Sequence, residues 1–233
     1  MTALRAAVLL LACASPARAQ DRIIGILSLP EVFGDSPCQQ FVPREIALYA
    51  TPVPERRVGT IRVDRNWSFP REGGCEGLEV GVHLTDPVTH GKLPAEEYDY
   101  EAPGAVVLEK RGDWFRVRLH NGSAWLRASE KSEFFSLQRL FANAPTHLTD
   151  GFDGRLAASP GAPLSIRSDS VLAGRSINVL DSGDVAGRLW VRVEVMSWSL
   201  CESVETPTVL ARGWLPVHAP SGEPFVWFSS RGC

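Results

Sequence analysis

The side chains that could do chemistry in this chain are five cysteines, five histidines and several tryptophans standing next to arginines. Gly73-Gly74-Cys75-Glu76-Gly77 has the G-x-C-x-G spacing that, in a strand-to-helix turn, would present the cysteine sulfur as a nucleophile. That chemistry needs a helix directly afterwards, and Leu78 to Leu84 (LEVGVHL) alternates like a strand instead. Cys75 therefore reads as structural. His83, His90, His120, His147 and His218 show no i, i+4 pair and no nearby Cys-x-x-Cys, so they read as isolated surface histidines and no metal site is expected. Asp181 to Asp184 and Asp150 to Gly154 lack the alternating ligands and closing glutamate of a calcium loop, and read as turns. No glycine-rich phosphate loop with a lysine occurs, and no catalytic residue, metal or cofactor is assigned.

The tryptophans carry more. From Trp114 the side chains alternate, so Phe115, Val117 and Leu119 share one face and Trp114, Arg116 and Arg118 the other. Asn121-Gly122 supplies a hairpin turn, and Ala124-Trp125-Leu126 starts the return strand. An aromatic ring beside a guanidinium on the outward face suits stacking on a peptide or sugar ring. Trp114 with Arg116, and Trp190 with Arg192, are the candidate ligand-binding pairs. The competing reading is that inserted loops cover these rings.

The elements that must position them form a repeat. Trp114 to Leu119 (WFRVRL) corresponds to Trp190 to Val195 (WVRVEV), and Ala124-Trp125-Leu126 to Gly213-Trp214-Leu215. Leu48 to Pro52 (LYATP) corresponds to Leu156 to Pro160 (LAASP). In the second copy Val191, Val193 and Val195 take the core positions. The first copy carries a long early insertion, which includes Cys75 and Tyr98-Asp99-Tyr100. The second lengthens its hairpin loop instead, from Met196 to Arg212. Ile23 to Leu29 is a first strand. Between the copies, Leu137, Leu140 and Phe141 fall at helical spacing with Ser136 as N-cap and Pro145 just beyond, so a short helix is expected. Phe134 and Phe135 should pack over the first barrel or in the joint.

Composition sets the compartment and excludes some partners. Arg5, an apolar run from Ala6 to Ala14 and Ala17-Arg18-Ala19 read as a secretory leader over residues 1–19, with lipidation at Cys13 as the lesser alternative. The apolar run is too short to span a bilayer, and no later stretch is longer. Losing Arg5 and Arg18 leaves 22 basic against 27 acidic residues, and no basic run is present, so nucleic acid is an unsuitable partner. Cys38, Cys75, Cys201 and Cys233 remain, and an even number in an exported chain suggests two disulfides. Of three pairings, Cys38 with Cys75 and Cys201 with Cys233 is favoured because each staples one half. In the chain-entropy model each would contribute on the order of 3–4 kcal/mol.

The order LYATP, an early excursion, GDWFRVRL, a short polar turn and AWL resembles bacterial SH3-like domains, over about 46 to 130 and more loosely over about 154 to 230. The resemblance implies two partly open small barrels, in a family whose members bind cell-wall peptides or hold a catalytic neighbour to the wall. Tyr98-Asp99-Tyr100-Glu101-Ala102 also resembles the aromatic motif of eukaryotic SH3 domains, which adds Tyr98 and Tyr100 to the candidate ligand-binding residues. His218 and the Ser-Ser-Arg-Gly-Cys ending at Cys233 faintly resemble the catalytic segment of L,D-transpeptidases, with Arg231 where the second histidine would stand.

The expected architecture is all-β: two tandem SH3-like small β-barrels joined by a short helical linker. The divisions are 1–19 (leader), 20–131 (N-terminal strand and first domain), 132–151 (linker) and 152–233 (second domain). The expected role is a non-catalytic, periplasmic or secreted module that recognises a peptide or cell-wall polymer through aromatic grooves. The alternative is a scaffold that binds another envelope protein through the insertion around Cys75. Oligomeric state is left open.

Overall fold

A computed structural model of the chain describes residues 22–33, 45–63, 80–85, 88–167, 173–199, 202 and 206–231. The tryptophan hairpin lies in a three-stranded antiparallel meander, β7 (Ala102–Arg111), β8 (Trp114–Leu119) and β9 (Gly122–Arg127). Phe115, Val117 and Leu119 are buried, while Trp114, Arg116 and Arg118 are half-buried on the other face, as the alternation requires. Gly112, at φ 58°, is the first central residue of the β7–β8 turn and supplies its positive φ. The second turn sits one residue earlier than expected. Leu119 pairs with Gly122, so His120 and Asn121 are the turn residues and Gly122 alone takes the positive φ, 114°.

The preceding elements are β1 (Gly25–Ser28), α1 (Pro30–Phe33), β2 (Ile46–Tyr49), β3 (Arg57–Val63), β4 (Val80–Thr85), β5 (Val88–Lys92) and β6 (Ala95–Asp99). After the meander come β10 (Phe134–Ser136), α2 (Leu137–Asn143), β11 (Thr146–Leu148), β12 (Arg155–Leu156) and β13 (Ile166–Arg167). The chain continues through β14 (Arg175–Val185), β15 (Arg188–Ser199), β16 (Val209–Pro216) and β17 (Val226–Phe228). Among the described residues the fold is all-β apart from two short helices. One sheet runs β10-β1-β7-β8-β9-β2-β3-β4-β5 with β6 on β7; a second runs β16-β15-β14-β11-β17; β12 and β13 pair separately. Among the described residues these sheets are open, each path ending in two edge strands.

The repeat is visible in the register. Phe115 faces Leu126, Arg116 faces Trp125 and Val117 faces Ala124; at the matching positions Val191 faces Leu215, Arg192 faces Trp214 and Val193 faces Gly213. The opening strands agree too, Tyr49 pairing with Trp125 and Ala157 with Trp214. Met196 to Arg212 is not all loop, however. β15 and β16 continue through Glu194–Arg212, Val195–Ala211 and Met196–Val209, because Val195 and Met196 still have a buried side to fill.

What joins the copies is a pair of strands buried on both faces. Alternate residues of β1 and β7 enter different cores: Leu27, Ala105 and Val107 pack with Leu48, Ile61, Phe115, Val117 and Leu126, while Ile26, Val106 and Leu108 pack with Leu148, Val191, Val193 and Leu215. Apolar runs without alternation, IIGILSL, broken only by Ser28, and GAVVL, are what a strand covered on both sides requires. The helix forms as expected, with Ser136 Oγ accepting from the Arg139 amide at 3.3 Å. It is more than a connector, since Leu137, Leu140 and Phe141 belong to the second core. Phe134 packs on the first core, with its ring 5.4 Å from Phe115, and Phe135 on the second. The four cysteines expected to pair lie outside the described residues, as do Cys13 and the Gly73 to Gly77 motif.

Gly104 marks how closely these layers approach, since a Cβ there would lie 2.5 Å from Ile26 Cγ2 and 2.7 Å from the Leu27 carbonyl oxygen. Gly104→Ala should therefore lower unfolding free energy by about 1–3 kcal/mol. Gly183→Ala, on β14 with nothing within 4 Å of the added carbon, should stay within about 0.5 kcal/mol of the parent. Urea unfolding of the two variants measures the contrast.

Candidate functional site

The residues expected to bind ligand fall in four environments. Trp114 packs edge-on against Tyr49, ring centroids 5.2 Å apart, and Arg116 on the same face donates to Glu109 at 3.2 Å and Ser123 Oγ at 3.1 Å. Trp190 is only 5% exposed. Pro216 stands opposite it on β16 and the Arg188 guanidinium lies 6.0 Å from its ring, so Trp190 is a packed residue whereas its neighbour Arg192 is exposed. Tyr98 is half-buried and stacks on Phe135 at 4.3 Å. Tyr100 is 64% exposed, with the Arg231 guanidinium 5.9 Å from its ring centroid. Arg231 is itself held by Glu97, its Nε donating to Oε2 at 2.6 Å. One aromatic groove is not formed from these six residues.

One concave feature among the described residues lies where the first repeat meets the β14–β15 hairpin. A cleft of about 450 Å³ has Leu108, Leu137 and Leu189 among its apolar walls, with Arg22, Arg116, Arg188, Glu109 and Asp184 as its charged groups. Sites at the joint between structural units are a usual place for ligands. Arg116 alone of the six expected residues lines it. β7 contributes Leu108 and Glu109, the segment ahead of β1 contributes Arg22, and the hairpin turn contributes Asp184 and Arg188. That turn, Ala186-Gly187, takes positive φ at both residues (52° and 71°), and Asp184 Oδ1 accepts from the Gly187 amide at 2.9 Å.

His218 closes the cleft from the second repeat. Val217 donates to the Leu189 carbonyl at 2.9 Å and His218 bridges to Pro224, so the backbone here is fixed to both neighbours. His218 is 7% exposed, and its Nε2 is buried without a partner. Burial, with the nearby positive charges of Arg22, Arg118 and Arg188, pushes its pKa down to about 4, so the ring is neutral at pH 7. Arg188 Nη2 donates to the His218 carbonyl at 3.1 Å. The cleft thus offers guanidinium groups and a neutral imidazole to a group rich in acceptor oxygens.

Two histidines read as isolated prove to be neighbours. His83 on β4 and His90 on β5 are directly opposite in the hairpin, with Nδ1 atoms 2.8 Å apart, a distance at which one ring donates to the other. Among the described residues no group of three or more His, Cys, Asp and Glu side chains is placed to hold a metal. Of the two acidic segments read as turns, Asp150 to Gly154 holds one, with Asp153 accepting from the Arg155 amide at 3.1 Å and pairing with its guanidinium, whereas Asp181 to Asp184 lies within β14, paired with Leu189 to Arg192, and the turn follows it at Ala186-Gly187.

His218 sets a pH dependence. Because its folded pKa lies below the ordinary 6.5, the unfolded chain takes the proton first, so this contribution to stability is full above pH 6.5 and is lost as pH falls towards 4. The loss by pH 5 should be about 2 kcal/mol. His147, also lowered chiefly by burial, acts in the same direction. Urea unfolding at pH 7 and pH 5 should show this decline in the parent and a much flatter response in His218→Gln. Comparison with known proteins gives no match to this chain among family models, curated proteins or solved structures.

Proposed function

We propose that this protein is a non-catalytic, exported binding module built on two SH3-like repeats, and that it takes a segment of peptide or cell-wall polymer into the cleft between them. The carrying observation is that cleft: an apolar trough of about 450 Å³, bordered by arginines from three separate elements and continuous with the face that bears Arg116. Trp114 and Tyr49 stand on that same outer face and would extend the contact along a polymer. Recurrence of the register around Trp125 and Trp214 supports the SH3-like reading of both copies. The leader-like first residues support export.

A scaffold role is the second reading, favoured by β5. This edge strand is exposed along its whole length, with Val88 73% exposed, and is a surface on which a partner's strand could pair.

Co-sedimentation of the leaderless chain with purified peptidoglycan tests the first reading. Binding is expected, weakened about tenfold by Trp114→Ala or Arg116→Ala, equivalent to about 1.4 kcal/mol. If the parent chain stays in the supernatant, polymer binding is wrong and the scaffold reading takes its place.

A further inference from the structure

We infer that the cleft between the repeats is a seat for a free carboxylate, the C-terminal group of a peptide, held by Arg22, Arg188 and the Nε2 of His218. This deepens the binding role proposed above and rests on it.

The first ground is two orphaned polar atoms on residues that line the cleft. His218 is 93% buried, and its Nε2 meets no partner; the buried Nε of Arg22, which lines the same cleft, meets none either. Each such atom leaves a desolvation penalty of about 1–3 kcal/mol uncompensated until something hydrogen-bonds to it. The second ground is charge. Among the described residues Arg22 and Arg188 make no ion pair, while the two carboxylates of the cleft are already engaged. Glu109 is held by Arg111 at 2.6 Å and Arg116 at 3.2 Å, and Asp184 caps its own turn. A cationic excess around a neutral imidazole is the environment that an acceptor-only anion satisfies.

The walls select among anions. Three arginines of the lining, with Arg111 on Glu109 and Arg118 near His218, outweigh the two carboxylates, an excess that suits an anion. The leucine walls suit the apolar side chain of a terminal residue. A carboxylate can take the fork of one guanidinium with both oxygens and still accept from His218.

Calorimetric titration of the full leaderless chain with N-acetyl-dialanine, its C-terminal amide and inorganic phosphate tests this. The acid should bind, the amide should bind about tenfold more weakly or not at all, and phosphate should fail to displace the acid. Arg22→Gln and His218→Gln, each checked for an unchanged fold by circular dichroism, should weaken the acid about tenfold and leave the amide unaffected. Equal binding of acid and amide, or displacement by phosphate, overturns the carboxylate seat while leaving peptide binding intact. If neither peptide binds but the chain sediments with peptidoglycan, the seat is overturned and polymer recognition stands. Failure of both removes the two readings together.

Discussion

The structure depends on two adjacent strands that, over Gly25–Ser28 and Gly104 to Leu108, have no solvent face. β1 and β7 pair antiparallel, Gly25 with Val107 through to Ser28 with Gly104, and each sends alternate side chains into a different core. A layer of this kind makes each core incomplete without the other. Without Ile26, Val106 and Leu108 the second repeat would expose Val191, Val193 and Leu215; without Leu27, Ala105 and Val107 the first would open around Phe115 and Val117. The layer also fixes distance. Gly25 and Gly104 are glycines because neighbouring atoms occupy the space a side chain would need: Phe134 Cε2 would lie 2.7 Å from a Cβ at Gly25.

The cleft follows from that geometry. The segment that leads into β1 brings Arg22 to the joint, β7 carries Glu109 out of the shared layer, and the β14–β15 hairpin reaches across with Asp184 and Arg188. Its charged groups therefore come from positions far apart in sequence and are set against one another only because the two cores share a wall. The two hairpins of matching register consequently differ in exposure. Trp114 remains partly open beside Tyr49, whereas its counterpart Trp190 is packed under Arg188, the residue that turns towards the cleft.

Local features were legible in the sequence, and joint features were not. Strand alternation after Trp114, the equivalence of WFRVRL with WVRVEV, and the helix begun by Ser136 all rest on neighbours a few residues apart, and each is found. The runs IIGILSL and GAVVL carried a sign of double burial in their lack of alternation, but nothing in them says which core lies on which side. His83 and His90 are seven apart, a spacing with no meaning in a helix, and only the hairpin register makes them partners. His218 and Arg22 stand almost the full length of the chain apart, so no motif could have linked them. Turn placement failed by one residue at Asn121 because a glycine beside the turn can supply the positive φ as well as one within it.

Native-state hydrogen exchange tests the shared layer most directly, because it reports which elements open together. If the two cores are one cooperative unit, the amides of Ile26 and Val106 in the layer should exchange with the same free energy of opening as Val117 in the first repeat and Val193 in the second. Exchange from Val193 through an opening that leaves Val106 and Val117 protected would mean that the second repeat stands by itself, and would contradict the account.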